Sequence, residues 1–190
     1  LPRKKRTWFP GAKLHITSRG IRRTTLFHDD EDRIEYLRIL QDIKQIKPFE
    51  LHTYCLMTNH IHLQLQPLEH HPGKILQQLH LKYAKYFNQK YHFSGHVFES
   101  RYGSELLTTV EYELEVNKYI HLNPIRANMV QELKDYKWSS YFDYVHPTNS
   151  TLVSTERIFT FFPEPKIDNY QKFLQAKVQQ EKKHVNLNKG

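Results

Sequence analysis

The sequence predicts an α+β fold, a ferredoxin-like antiparallel sheet with helices segregated to one face. Three observations predict it. The apolar period switches between two and about 3.6 residues in the order strand, helix, strand, strand, helix, extended segment, helix. The two adjacent period-two segments are separated only by Thr58-Asn59, a spacing that suits a hairpin. The 190 residues include 12 Tyr, 11 Phe and 2 Trp, enough for a real core although only 38% of the chain is hydrophobic.

Residues 14–21 alternate, are rich in β-branched side chains and close on Gly20, and Arg19, Arg22 and Arg23 crowd that end. Asp29, Asp30, Glu31 and Asp32 supply the acidic first turn of a helix. Ile34, Leu37, Leu40, Ile43 and Ile46 follow as its apolar stripe, and Pro48 ends it. Phe49–Thr58 and His60–Gln66 read as paired strands. Past the His70-His71-Pro72-Gly73 break, Ile75 or Leu76, then Leu79, Tyr83 and Phe87 mark a second helix whose other faces carry Lys74, Lys82, Lys85 and Lys90. Val97–Leu107 is extended. A third helix runs from about Thr109 to Leu122, where Asn123-Pro124 is expected to interrupt it. The predicted organisation is a domain over 1–145 with a basic N-terminal arm, then a weakly patterned extension over 146–190.

Against 20 Asp and Glu stand 28 Lys and Arg, a formal charge of +8 that attracts polyanions, nucleic acid foremost. No apolar run is long enough for a membrane span, and Arg3, Lys4, Lys5 and Arg6 do not introduce a signal peptide; the expectation is a cytoplasmic protein with no membrane partner. A single cysteine, Cys55, excludes an internal disulfide and a Cys-rich zinc site. There is no Walker loop, Gly-x-Gly-x-x-Gly or Cys-x-x-Cys, so nucleotide hydrolysis and dinucleotide binding have no support.

His60 and His62 alternate with Ile61 and Leu63. On a strand, residues two apart project from one face, so two imidazoles point together and can hold one divalent metal, or simply stand half-solvated on a sheet. Tyr119 and Asn123 lie four apart on a helical stripe with Tyr112 and Val116. A tyrosine so placed is ordinarily core with its hydroxyl bonded to a carbonyl, and an Asn before Pro is ordinarily a cap.

Four blocks carry a resemblance. Thr58-Asn59-His60-Ile61-His62-Leu63 resembles the His-hydrophobic-His strand of the single-tyrosine HUH transposases of insertion sequences. Residues 95–102 and 119–128 resemble two later blocks of that family, especially its REP-associated branch, and Tyr136-Lys137-Trp138-Ser139-Ser140-Tyr141 resembles the closing block. The resemblance covers about residues 5 to 145. It implies that His60 and His62 bind a divalent metal, Mg2+ or Mn2+, with Asn123 at the position of a third ligand, and that Tyr119 is the nucleophile of DNA strand cleavage and rejoining through a 5'-phosphotyrosine. Asn128 stands where the family often has Gly. The implied partner is single-stranded or hairpin DNA, and the implied assembly a monomer or homodimer. Arg3, Lys4, Lys5, Arg6, Arg19, Arg22, Arg23, Lys82, Lys85 and Arg101 are the candidate DNA contacts. The alternatives are a non-catalytic nucleic-acid-binding module on the same sheet and a domesticated hairpin-nicking endonuclease.

Overall fold

The structure, a computed structural model, describes residues 7–146 and 150–187, with side chains to residue 176. Its sheet has four antiparallel strands: β1 (Leu14–Arg19), β2 (Phe49–Leu56), β3 (His60–Pro67) and β4 (Gly103–Leu106). They lie in the order β2-β3-β1-β4, as the ferredoxin-like class requires. Residue 20, just past β1, requires glycine, since a Cβ there would stand 2.3 Å from the Thr24 carbonyl oxygen.

Helix α1 (Asp30–Ile46) begins as its acidic turn predicts. Asp29 accepts from the Asp32 N–H at 3.0 Å, and the Asp32 carboxylate answers from the other side, a capping box. The predicted stripe is out of phase, since Ile34 and Ile46 are exposed and the helix buries Tyr36, Ile39, Leu40 and Ile43. A strict three-residue step falls about 60° short of a full turn each time, so a series chosen at that spacing winds off the buried face. Helix α2 (Pro72–Tyr91) buries Ile75, Leu76, Leu79, Tyr83 and Phe87, as predicted. Lys90 does not belong to a free basic surface: its ammonium lies 2.9 Å from carboxylate oxygens of Asp29, Glu31 and Asp32.

The first two helices share one face, where Ser18 of β1 meets His80 of α2 at 2.9 Å. Helix α3 (Val110–Arg126) crosses the other face, which the sequence did not predict. There Val116 and Ile120 pack with Cys55, Met57, Leu107 and Tyr136 in a second apolar cluster. Pro124 does not interrupt α3. It stands in the last turn, where a missing N–H costs one hydrogen bond, and the helix closes by Met129 N–H to Pro124 C=O and Asn128 N–H to Ile125 C=O, both 2.9 Å. Asn128 is left-handed (φ 54°), the conformation that favours Gly at this turn.

A buried polar seam fastens α3 to the sheet. Thr53 donates to Gln64 at 3.0 Å, and the Asn117 amide donates to Thr53 at 2.5 Å and to Tyr144 at 3.2 Å. The seam continues into residues beyond 146. After α4 (Tyr141–Val145) and α5 (Glu156–Phe159), α6 (Lys166–Leu187) brings Tyr170, whose hydroxyl donates to Asn117 Oδ1 at 2.6 Å and meets His121 Nδ1 at 2.6 Å. Val153, Ile158, Tyr170 and Leu174 are buried in the main core, so the described part of the extension is built into the domain. Short turns broken by Pro163 and Pro165 hide this from a periodicity argument.

Two histidines inside these contacts are held well below their ordinary pKa by burial, His80 at about 4 and His121 at about 3. The unfolded chain therefore binds protons below pH 6.5 that the folded chain refuses until these lower values, so stability is present above 6.5 and lost as pH falls. At pH 5.5 the two together cost roughly 3 kcal/mol relative to pH 7.5. Urea denaturation at the two pH values should show a loss at least that large, and equal midpoints would contradict the burial of both rings.

Candidate active site

The two central strands and α3 enclose a cavity of about 880 Å3, walled on its fourth side by residues 99–103. In the β1/β3 register Thr17 faces His62 and Arg19 faces His60, so these four side chains leave the same face of the sheet. The His60 and His62 rings meet edge to face, 5.0 Å between centroids. Tyr119 reaches the cavity from α3, its ring 5.5 Å from that of His62 at an interplanar angle of 87°. At 38% it is the most exposed of the 12 tyrosines. The ordinary fate of a helical tyrosine is met instead by Tyr83 and Tyr144, each buried with its hydroxyl on a backbone carbonyl.

The imidazoles are kept neutral. Burial, with smaller contributions from His15, His60 and Arg19, lowers the His62 pKa to about 3, and burial with the nearby Arg19 lowers that of His60. A neutral ring offers a lone pair, and His62 Nε2 is buried without a hydrogen-bond partner. A buried polar atom left without a partner beside a neutral neighbouring imidazole fits a divalent cation. Among the described residues no group of three His, Cys, Asp or Glu stands at metal-binding distance, so His60 and His62 would need an amide, water or substrate oxygen to complete a ligand set.

The other predicted residues divide. Arg19 and Arg101 line the same cavity. Arg22 and Arg23 are exposed just beyond β1, and Arg23 lines a separate groove. Lys82 and Lys85 are exposed on α2, behind the sheet, where Lys85 borders another groove that shares Arg101. Arg3, Lys4, Lys5 and Arg6 lie outside the described residues. Asn123 is 8% exposed, does not line the cavity, and leaves its buried Nδ2 without a partner.

Sequence reasoning missed three residues. His15 stacks on His62 (5.3 Å, 21°) and stands edge-on to Tyr119, with the Glu105 carboxylate 3.9 Å from its Nδ1. The Arg126 guanidinium lies 5.3 Å from the Tyr119 ring centre. His15 was findable only through the strand order, because its place beside His62 depends on β1 pairing with β3 across the intervening helix α1 and strand β2.

An open antiparallel sheet carrying two histidines at its centre, faced by a helix-borne tyrosine, is the arrangement that the resemblance to single-tyrosine transposases implies. The chain belongs to the IS200-like transposase family, whose model matches residues 9–123. A Haemophilus influenzae protein described as a REP-associated tyrosine transposase is 28% identical over 106 residues, which span 50% of this chain and 60% of that relative. The solved structure of a REP-associated tyrosine transposase bound to a REP hairpin superposes with a TM-score of 0.64 at 17% identity, over 76% of this chain and 86% of that one.

The exposure of Tyr119 is open to chemical test. Mild nitration followed by peptide mapping should modify Tyr119 ahead of the fully buried Tyr36, Tyr83, Tyr144 and Tyr170. Equal modification of those four would contradict its placement on the cavity wall.

Proposed function

We propose that this chain is a DNA strand transferase that cuts and rejoins single-stranded or hairpin DNA with Tyr119 as the nucleophile. The observation that carries this reading is an exposed tyrosine set edge-on to a neutral, buried histidine whose Nε2 has no partner. The hairpin in the similar solved structure supports the substrate class, and an open strand or loop suits a cavity that must receive a single backbone.

Tyr119 Oη attacks the phosphorus and forms the O–P bond as the bond from phosphorus to the 3' oxygen breaks. The tyrosine proton is given up and the departing 3' oxygen gains one, leaving a 5'-phosphotyrosine and a free 3'-hydroxyl. Attack by a second 3'-hydroxyl reverses these steps, reseals the strand and frees Tyr119, so no nucleotide hydrolysis is needed. His60 and His62 would hold a divalent ion, Mg2+ or Mn2+, which when bound neutralises charge on the non-bridging phosphate oxygens. Asn123 is the candidate third ligand, but it is buried and does not line the cavity, so ligation would require its side chain to turn toward His60 and His62 and present Oδ1. Arg19 and Arg101 border the same cavity and would pair with phosphates flanking the cut. Both histidines and Tyr119 share one cavity within one chain, which supports cleavage completed without a residue from a second copy.

Incubation with end-labelled hairpin DNA and Mn2+, read on a denaturing gel, tests the reaction. Wild-type protein should form a protease-sensitive adduct on the downstream fragment that EDTA prevents. Tyr119→Phe should lower adduct yield at least 1000-fold, roughly the loss expected on removing a nucleophile, while hairpin binding on a native gel stays within about twofold. An undiminished adduct in the Phe variant would overturn the nucleophile assignment.

A further inference from the structure

The hydrogen bonds behind the two histidines have a logic that the sequence motif does not contain. Asn59 Nδ2 donates to the Arg23 carbonyl at 3.0 Å, which sets the amide's orientation and turns Oδ1 toward His60. That oxygen lies 2.7 Å from His60 Nδ1, and an amide oxygen can only accept, so His60 carries its proton on Nδ1. At the second ring the negative Glu105 carboxylate, 3.9 Å from His15 Nδ1 and so beyond hydrogen-bond distance, electrostatically favours the proton on that nitrogen over Nε2. With the proton there, His15 Nε2 is the acceptor, 3.0 Å from His62 Nδ1, and His62 donates from Nδ1. Both imidazoles are thereby left with a bare Nε2 lone pair, and that of His62 is the buried atom without a partner.

Resting on the function proposed above, we infer that His15 and Asn59 are positioning residues that lock His62 and His60 in the Nδ1–H tautomer and present both Nε2 atoms to one divalent cation. The mechanism is general: a ligand histidine whose far N–H is held by an acceptor has its ring orientation, tautomer and basicity set before the ion arrives. Two neighbouring imidazoles left to choose would populate either tautomer, and ligation would first require a proton to move. His15 comes from β1 and Asn59 from the turn entering β3, so the two acceptors reach the pair from different segments. Glu105, on β4, would act one step further out through His15.

The test uses full-length protein with three readouts: ring 15N chemical shifts of the metal-free protein, Mn2+ affinity from the EPR signal of free Mn2+, and adduct yield with hairpin DNA. In wild type, His60 and His62 should both show protonated Nδ1 and bare Nε2. His15→Ala should mix the tautomers of His62 alone and weaken Mn2+ binding by about 10- to 100-fold. His15→Gln places an amide oxygen near the former Nε2 and should restore tautomer and affinity to within a few-fold, which a purely space-filling role would not explain. Asn59→Ala should do to His60 what His15→Ala does to His62. A wild-type His62 protonated on Nε2, or a His15→Ala protein with unchanged tautomer and Mn2+ affinity, would overturn the inference. If His15→Ala does not fold, the wild-type ring shifts and the Gln variant still decide. Failure of the DNA-cleavage reading would look different, as a wild-type protein with the expected tautomers and Mn2+ affinity but no adduct.

Discussion

The position of Tyr119 depends on the buried polar seam that binds α3 to the sheet. Apolar contacts of Val116 and Ile120 draw the helix down, but such contacts are non-directional and would tolerate rotation about the helix axis. Asn117 and His121 remove that freedom. Asn117 bonds Thr53, Tyr144 and Tyr170 at once, while His121 reaches Tyr170 through Nδ1 and Ser140 through Nε2 at 2.8 Å. Leaving any of these buried groups unpaired would cost on the order of 1–3 kcal/mol, so the helix has one favourable rotation. Tyr119, two residues from each, projects from roughly the opposite side of the helix, and that rotation directs its ring at the cavity. The part of the chain beyond residue 146 is thus joined to the geometry of the site: Tyr170 closes the seam, and Lys118 donates to the Phe173 carbonyl at 2.5 Å.

The sheet supplies the other half. Its two central strands bring His15, His60 and His62 together on the face that α3 only partly covers, with the opposite side chains of the same strands in the core. This partial cover leaves Tyr119 exposed while His62 is 6% exposed. Burial keeps the histidines neutral, and neutrality is what a metal-ligating imidazole requires. The arginines are distributed to match, with Arg19 and Arg101 at the cavity and Arg22 and Arg23 exposed nearby.

Much of this was legible in the residues. Alternation at 14–19 and 60–66, the acidic cap of α1 and the stripe of α2 each arise from local physics, and the elements formed where that physics placed them. What escaped was set by tertiary structure. The face that α3 occupies is decided by the side of the sheet on which Cys55 and Met57 lie, and no local pattern announces it. Pro124 is a helix breaker by propensity, yet two residues from the end of α3 it removes one hydrogen bond and nothing more. His15 looked like an ordinary alternating strand residue, because its partner on β3 is 47 positions away. The motif residues His60, His62 and Tyr119 do share a cavity, whereas Asn123 is buried off its wall.

The central claim is that two imidazoles from β3 and the tyrosine from α3 form one centre around a divalent ion. An anomalous difference map from crystals of the full chain grown with Mn2+ tests it most directly. The account predicts a single strong peak ligated by Nε2 of both His60 and His62, on the cavity side that faces Tyr119. A peak ligated through Nδ1, a peak away from the pair, or no peak at saturating Mn2+ would contradict it.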